Sequence, residues 1–184
     1  KRVLIRVDFN VPISGGEVLN DFRIKQSLQT IKYCLEQNAA IVLMSHLGRP
    51  KGVPTEDSSL ETVCWHLEDL LDHSVLFAED CISEEAFKMS KNIKSGEILL
   101  LENLRFYNEE TQNDKIFSQK ISKHGDVYVN DAFGTAHRAH ASNIGVLDYF
   151  KIKGYGFLID KELKYLKNEL ESPNKPLVVL IGGS

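Results

Sequence analysis

A doubly wound, three-layer α/β fold, in which a parallel sheet is covered by helices on both faces, is what the 184-residue sequence predicts. Three observations carry this reading. Apolar runs of strand length recur along the chain, most of them lack the alternation of a half-exposed strand, and amphipathic helical patterns fall between them. Strands and helices in alternation demand right-handed crossovers, which bury a parallel sheet between two helical layers. Ligands of such sheets bind at the carboxyl ends of the strands.

The strand runs occupy residues 3–7, 40–45, 74–78, 98–102 and 126–130. After Asp21, the residues Ile24, Leu28, Ile31 and Leu35 share one helical face, and Leu60, Val63, Leu67 and Leu70 share another. Ser58 with Glu61 reads as a capping box for that second helix. Residues 83–92 and 110–123 read as further helices, the latter resting on Ile116, Phe117 and Ile121. Beyond residues 143–150 and a short segment at 153–156, a connecting helix over 160–170 carries Leu163, Leu166 and Leu170 on one side, and Pro173 and Pro176 end it. Leu177 to Ile181 reads as a strand running into a Gly182-Gly183 turn, the opening of a second domain, so the chain reads as a piece of something longer.

Composition sets the outer limits. A content of 42% hydrophobic and 26% charged residues is that of a folded domain with a sizeable core. The formal net charge of -4 supplies no broad basic surface for nucleic acid or an anionic membrane, so any anion site is local. Cys34, Cys64 and Cys81 are odd in number, widely spaced and without CxxC pairing, which favours buried thiols over a disulfide framework or a zinc knuckle. No apolar run approaches the ~20 residues of a membrane span, and the first residues resemble a strand rather than a signal peptide. These features favour a reducing, cytoplasmic setting.

Arginine usage points to chemistry. Arg6, Arg23, Arg49, Arg105 and Arg138 all fall at a strand end, in a following loop or at a helix start, whereas lysines populate the helices. A guanidinium fork grips phosphate or carboxylate in two places, while an ammonium acts as a hydrated point charge. Each arginine alone could be a solvated surface residue or a structural ion pair. Together they are different, because loops after parallel strands share one edge of the sheet and convergent cations repel unless an anion joins them.

The segments around them are specific. Arg6-Val7-Asp8-Phe9-Asn10-Val11-Pro12 closes the first strand, with Asp8 and Asn10 either facing the ligand edge or forming an Asx turn. Ser45-His46-Leu47-Gly48-Arg49-Pro50 follows the second strand, where Gly48 lets the backbone bend before Arg49 and His46 can donate to an acid oxygen. Leu101-Glu102-Asn103-Leu104-Arg105-Phe106 places Arg105 past another strand, with Phe106 able to pack beneath it. His137 and His140 have a spacing that a metal could use, but the neighbouring Arg138 opposes a cation and no Cys joins the pair, so no metal site is assigned.

In this order, and across essentially the whole chain, these segments together with Phe133-Gly134-Thr135-Ala136-His137-Arg138-Ala139-His140 and Gly156-Phe157-Leu158-Ile159-Asp160-Lys161-Glu162-Leu163 resemble the phosphoglycerate kinase family. The resemblance implies a Rossmann-like N-terminal domain over residues 1–158 that binds 3-phosphoglycerate, an inter-domain helix and linker over 159–176, and the first strand of a truncated nucleotide-binding domain over 177–184. It implies reversible phosphoryl transfer between 1,3-bisphosphoglycerate and ADP, giving 3-phosphoglycerate and ATP. Magnesium accompanies the ATP or ADP, bound mainly by the absent C-terminal domain.

Carried onto this chain, the resemblance puts Asp8, Asn10, Arg23 and His46 around the glycerate hydroxyl and carboxyl, and Arg49, Arg105 and Arg138 on the far phosphate. His137 stands behind Arg138, and Phe9, Leu47 and Gly48 contribute shape and backbone placement. Arg23, at the start of the first helix, is the candidate catalytic residue, a role that can be worth ~10³–10⁵ in rate. A monomer that closes around its substrates is implied, and the chain alone is expected to be inactive. The alternative is a non-catalytic phosphate-binding module that kept the clamp.

Overall fold

A computed structural model describes residues 1–171. Pro173, Pro176, the expected strand from Leu177 and the Gly182-Gly183 turn lie outside the described residues. In chain order the elements are β1 (Arg2–Val7), β2 (Ile13–Ser14), β3 (Glu17–Val18), α1 (Phe22–Glu36), β4 (Ala40–Met44), α2 (Glu61–Leu71) and β5 (Val75–Ala78). They continue with α3 (Glu84–Asn92), β6 (Ile98–Leu101), α4 (Asn108–Thr111), α5 (Lys115–Ser122), β7 (Val127–Asp131), β8 (Lys153–Tyr155) and α6 (Phe157–Glu171). Six strands form one parallel sheet in the order β5-β6-β4-β1-β7-β8.

The lack of hydrophobic alternation has a direct cause, since the central strands bury both faces. Ile5, Val7, Ile41, Leu43, Ile98 and Leu100 enter one core, beneath Ile24 and Ile31 of α1 and Val63 and Leu67 of α2. Their alternates Leu4, Val42, Met44, Leu99 and Leu101 enter a second core with Ala86 of α3 and Phe117 and Ile121 of α5. This is the expected Rossmann-like three-layer arrangement, with one sheet between two helical layers.

Several local expectations fail for identifiable reasons. Ser58 and Glu61 do not form a capping box: α2 begins after Leu60, whose N–H donates to Glu102 Oε1 at 2.8 Å, while the Ser59 hydroxyl donates to Glu102 Oε2 at 2.7 Å. A carboxylate from a distant strand end therefore performs the capping. The single helix expected over 110–123 is two, because Asn113 takes a positive φ of 55° and Asp114 starts α5 by accepting from Phe117 N–H at 2.8 Å. Gly15 and Gly16, both at positive φ, turn the unforeseen β2–β3 hairpin, as a tight two-residue connection requires. The segment at 153–156 contributes a sixth strand, and α6 starts at Phe157, earlier than its leucine pattern indicates.

Asp131, the last residue of β7, is fully buried and accepts from the N–H groups of Leu158 and Ile159 at the start of α6, at 3.0 and 3.3 Å. Gly156 makes this approach possible, because a Cβ there would lie 2.3–2.7 Å from the Asp131 carboxyl group. Thr30 Oγ1 accepts from the N–H of Phe157 at 3.0 Å, which ties the same helix end to α1.

Candidate anion-binding site

From β1 the chain crosses to β4 on one side, and from β7 it crosses to β8 on the other, so the loops after β1 and β7 part at a switch point. The loops after β1, β4, β6 and β7 supply the candidate residues. Gly48 sits at a φ of +62°, a conformation that suits glycine, and both of its peptide groups are used. Its N–H donates to Asn10 Oδ1 at 2.9 Å, and its carbonyl accepts from Arg105 Nη1 at 2.7 Å. Asn10 thus braces a loop.

Asp8 lies at the floor. Its Oδ2 pairs with Arg23 Nη1 at 3.1 Å and its Oδ1 accepts from the Asn10 N–H at 3.3 Å, so the Asx turn and the site contact coexist. A Cβ on Gly134 would come within 2.9 Å of that same Oδ2. Arg23, half exposed on the first turn of α1, lines a cavity of about 180 Å³ with Asp8, Phe22, Phe133, Leu158 and Glu162. Phe9 and Leu47 are buried in the core, and Ser45 Oγ and Asn103 Oδ1 accept from their respective N–H groups.

Arg49, Arg105 and Arg138 line a second cavity of about 240 Å³, together with Lys51, Tyr107, Thr111 and His140. Arg105 is 7% exposed, and burial first, then Arg138 and Arg6, lowers its pKa. Its buried Nε–H has no hydrogen-bond partner among the described residues. His137 is exposed, whereas His140 is buried with Nδ1 3.7 Å from Glu110 Oε1. Phe106 lines a different cavity of about 530 Å³, where Glu56, Glu79, Asp80 and Glu102 make the lining acidic.

Arg6 departs from its expected place in the clamp. It is fully buried below the cavities, donating from Nε to Ser142 Oγ at 2.9 Å, from Nη1 to the Val7 carbonyl and from Nη2 to His46 Nδ1 at 3.2 Å. A guanidinium engaged on all sides by protein is a support for the site. Burial, followed by the fields of Arg6, Arg105, Arg138 and His140, pushes the His46 pKa down to about 2. His46 is therefore neutral, and because Nδ1 accepts, its Nε2 carries the proton.

Sequence reasoning did not single out Asn103, Glu110 or Ser142. Asn103 is fully buried and holds three segments together: its Oδ1 accepts from Leu47 and Arg105 N–H, and its Nδ2 donates to the Leu47 and Ser58 carbonyls. Its position between a strand and Arg105 was the available signal. Glu110 and Ser142 offered none, since they lie 32 residues apart in a region of weak pattern.

The family model described as phosphoglycerate kinase matches residues 1–184. Among curated relatives, a phosphoglycerate kinase of Borreliella afzelii (strain PKo) is 52% identical over the whole chain, and one of Prochlorococcus marinus (strain MIT 9515) is 47% identical. The chain spans 47% and 46% of their respective lengths. Two solved structures are similar: phosphoglycerate kinase from Pyrococcus horikoshii OT3, with a TM-score of 0.87 and 38% identity over 96% of this chain and 44% of that one, and its counterpart from Coxiella burnetii, with 0.84 and 38% over 95% and 43%. With its full length matched in sequence and its described fold matched in space, the chain belongs to the phosphoglycerate kinase family.

Proposed function

We propose that this chain is the acid-substrate half of a phosphoglycerate kinase, binding 3-phosphoglycerate or 1,3-bisphosphoglycerate at the strand ends while ATP or ADP binds on a C-terminal domain. The division into a substrate domain over residues 1–158, an inter-domain helix and linker over 159–176 and the start of that second domain at 177 belongs to the same reading. The observation that carries it is the convergence of Arg49, Arg105 and Arg138 on one small cavity, with a buried Arg105 N–H that no group among the described residues accepts. Like charges gathered on one cavity are held together most readily by an anion, and a phosphate supplies three acceptor oxygens.

In this reading the phosphate sits among Arg49, Arg105 and Arg138, with His137 behind Arg138, and the carboxyl end lies toward His46, Asp8, Asn10 and Arg23. Neutral His46 donates from Nε2 to an acid oxygen. Arg23, whose pairing with Asp8 leaves its other guanidinium nitrogen free of that contact, faces the phosphoryl group in transfer as charge spreads over its oxygens. Domain closure excludes the water that would hydrolyse the acyl phosphate. The crevice does not fit a divalent cation, because arginines line it and Asp8 is already paired with Arg23. Magnesium is therefore assigned to the nucleotide on the other domain. The enzyme works as a cytoplasmic monomer.

Calorimetry with 3-phosphoglycerate tests the site, and binding by this chain is the expected result; an absence of heat at saturating ligand would remove the substrate assignment. Mixed with 1,3-bisphosphoglycerate and ADP, a piece limited to residues 1–184 is expected to give no ATP, since in this reading the nucleotide-binding wall of the reaction chamber is on another domain. Turnover by the isolated chain would refute the division of labour.

A further inference from the structure

Behind His46 runs a buried chain of polar groups that the proposed reaction does not itself use. Glu110 of α4 and Arg6 of β1 are both wholly inaccessible. Between them stands Ser142, also inaccessible, whose hydroxyl donates to Glu110 Oε1 at 2.6 Å and accepts from Arg6 Nε at 2.9 Å. The Ser142 N–H donates to the second carboxylate oxygen at 2.9 Å, and the Tyr128 hydroxyl donates to the Ser142 carbonyl at 2.7 Å. At the far end Arg6 Nη2 meets His46 Nδ1 at 3.2 Å.

The donor and acceptor roles admit one assignment only, with Arg6 donating toward both ends. A guanidinium has donors and no acceptor, so His46 Nδ1 must offer its lone pair and the ring proton must sit on Nε2. The competing partner for Nδ1 is Asp8 Oδ1, which would favour the other tautomer, but it lies 4.0 Å away, beyond hydrogen-bond range. Arg105 on the crevice feels the like charges of Arg138 and Arg6 and the opposite charge of Glu110, so Glu110 is the buried acid that offsets this group of guanidinium charges.

We infer that Glu110, acting through Ser142 and Arg6, is a positioning residue that holds His46 with its N–H at Nε2, the donor that the acid substrate requires. This rests on the functional reading above. Glu110 touches no substrate; it determines where Arg6 sits, and Arg6 determines which ring nitrogen carries the proton.

Nitrogen-15 NMR of histidine-labelled full-length protein, with His46 assigned from a His46→Gln sample, reads the tautomer directly and without ligand. The wild type is expected to show only the Nε2–H form. In Glu110→Gln, which keeps the shape and removes the charge, a mixture of forms is expected, and so also in Ser142→Ala, which keeps both charges and removes the bridging hydroxyl. Should one variant fail to fold, the other decides. In 3-phosphoglycerate calorimetry, Glu110→Gln is expected to weaken binding about tenfold, as for a misdirected hydrogen bond to a charged group, and by under about twofold when His46 is already Gln. A wild-type Nδ1–H form, a His46 spectrum unmoved in every folded variant, or losses that simply add would each overturn the relay. Failure of the wild-type protein to bind 3-phosphoglycerate overturns the functional reading instead, while the spectra judge the relay on their own.

Discussion

Arg105 and Arg6 are both buried, yet they have opposite duties because of what surrounds their nitrogens. Arg6 finds partners in Ser142, Val7 and His46, whereas Arg105 keeps one buried N–H without any among the described residues. Arg105→Ala is accordingly expected to weaken 3-phosphoglycerate binding by ~2–5 kcal/mol, the cost of deleting one member of a buried charged pair. A KM unchanged within error would take Arg105 out of the clamp. Arg23→Ala in the full-length enzyme should lower kcat far more than it weakens binding, and equal losses in both would make Arg23 a simple ligand. The position of each arginine at a strand end was legible in the sequence. The direction of its side chain was not, because Arg6 is turned inward by Ser142, which lies 136 residues away.

Strands proved easier to read than the edges of helices. Burial on both faces imprints continuous apolar runs, so β1, β4 and β6 stand out and the partly buried β5 and β7 are still legible, while the three exposed residues of β8 carry no such mark. Helix ends depend on partners from elsewhere: Glu102 caps α2 from a strand end, and Asp131 caps α6 in the same way. Neither is visible in local spacing. The Asp131 junction is expected to be sensitive to size. Gly156→Ala would drive a methyl group into the buried carboxyl group, with a loss of about 1–3 kcal/mol as in other overpacked sites. For a chain of this length that corresponds to roughly 2–4 °C in Tm per kcal/mol, read by thermal unfolding. An unchanged Tm would mean that the strand end and helix are not in the tight register described.

Across the whole molecule, buried histidines give stability a pH dependence of definite sign. Burial and nearby arginines hold His46 at about 2, and burial holds His124 at about 4, both below the ordinary 6.5. The unfolded chain takes up protons that the folded chain refuses, so this contribution is complete above pH 6.5 and is lost as the pH falls toward those values. Glu102 and Asp131, raised by burial, act in the opposite sense. The urea midpoint should therefore drop less between about pH 7 and about pH 5 in His124→Gln than in the wild type, and equal drops would clear His124 of the effect. The shared edge of the sheet was legible because parallel topology gathers strand ends without reference to detail, whereas the two separate cavities follow from side-chain packing. One junction joins them mechanically. Asp131 ends the strand whose next loop bears Arg138, and it also grips the helix whose Leu158 and Glu162 face Arg23. That helix is a tiller pinned at its root by a carboxylate and a threonine hydroxyl: swinging it would steer both walls of the crevice at once.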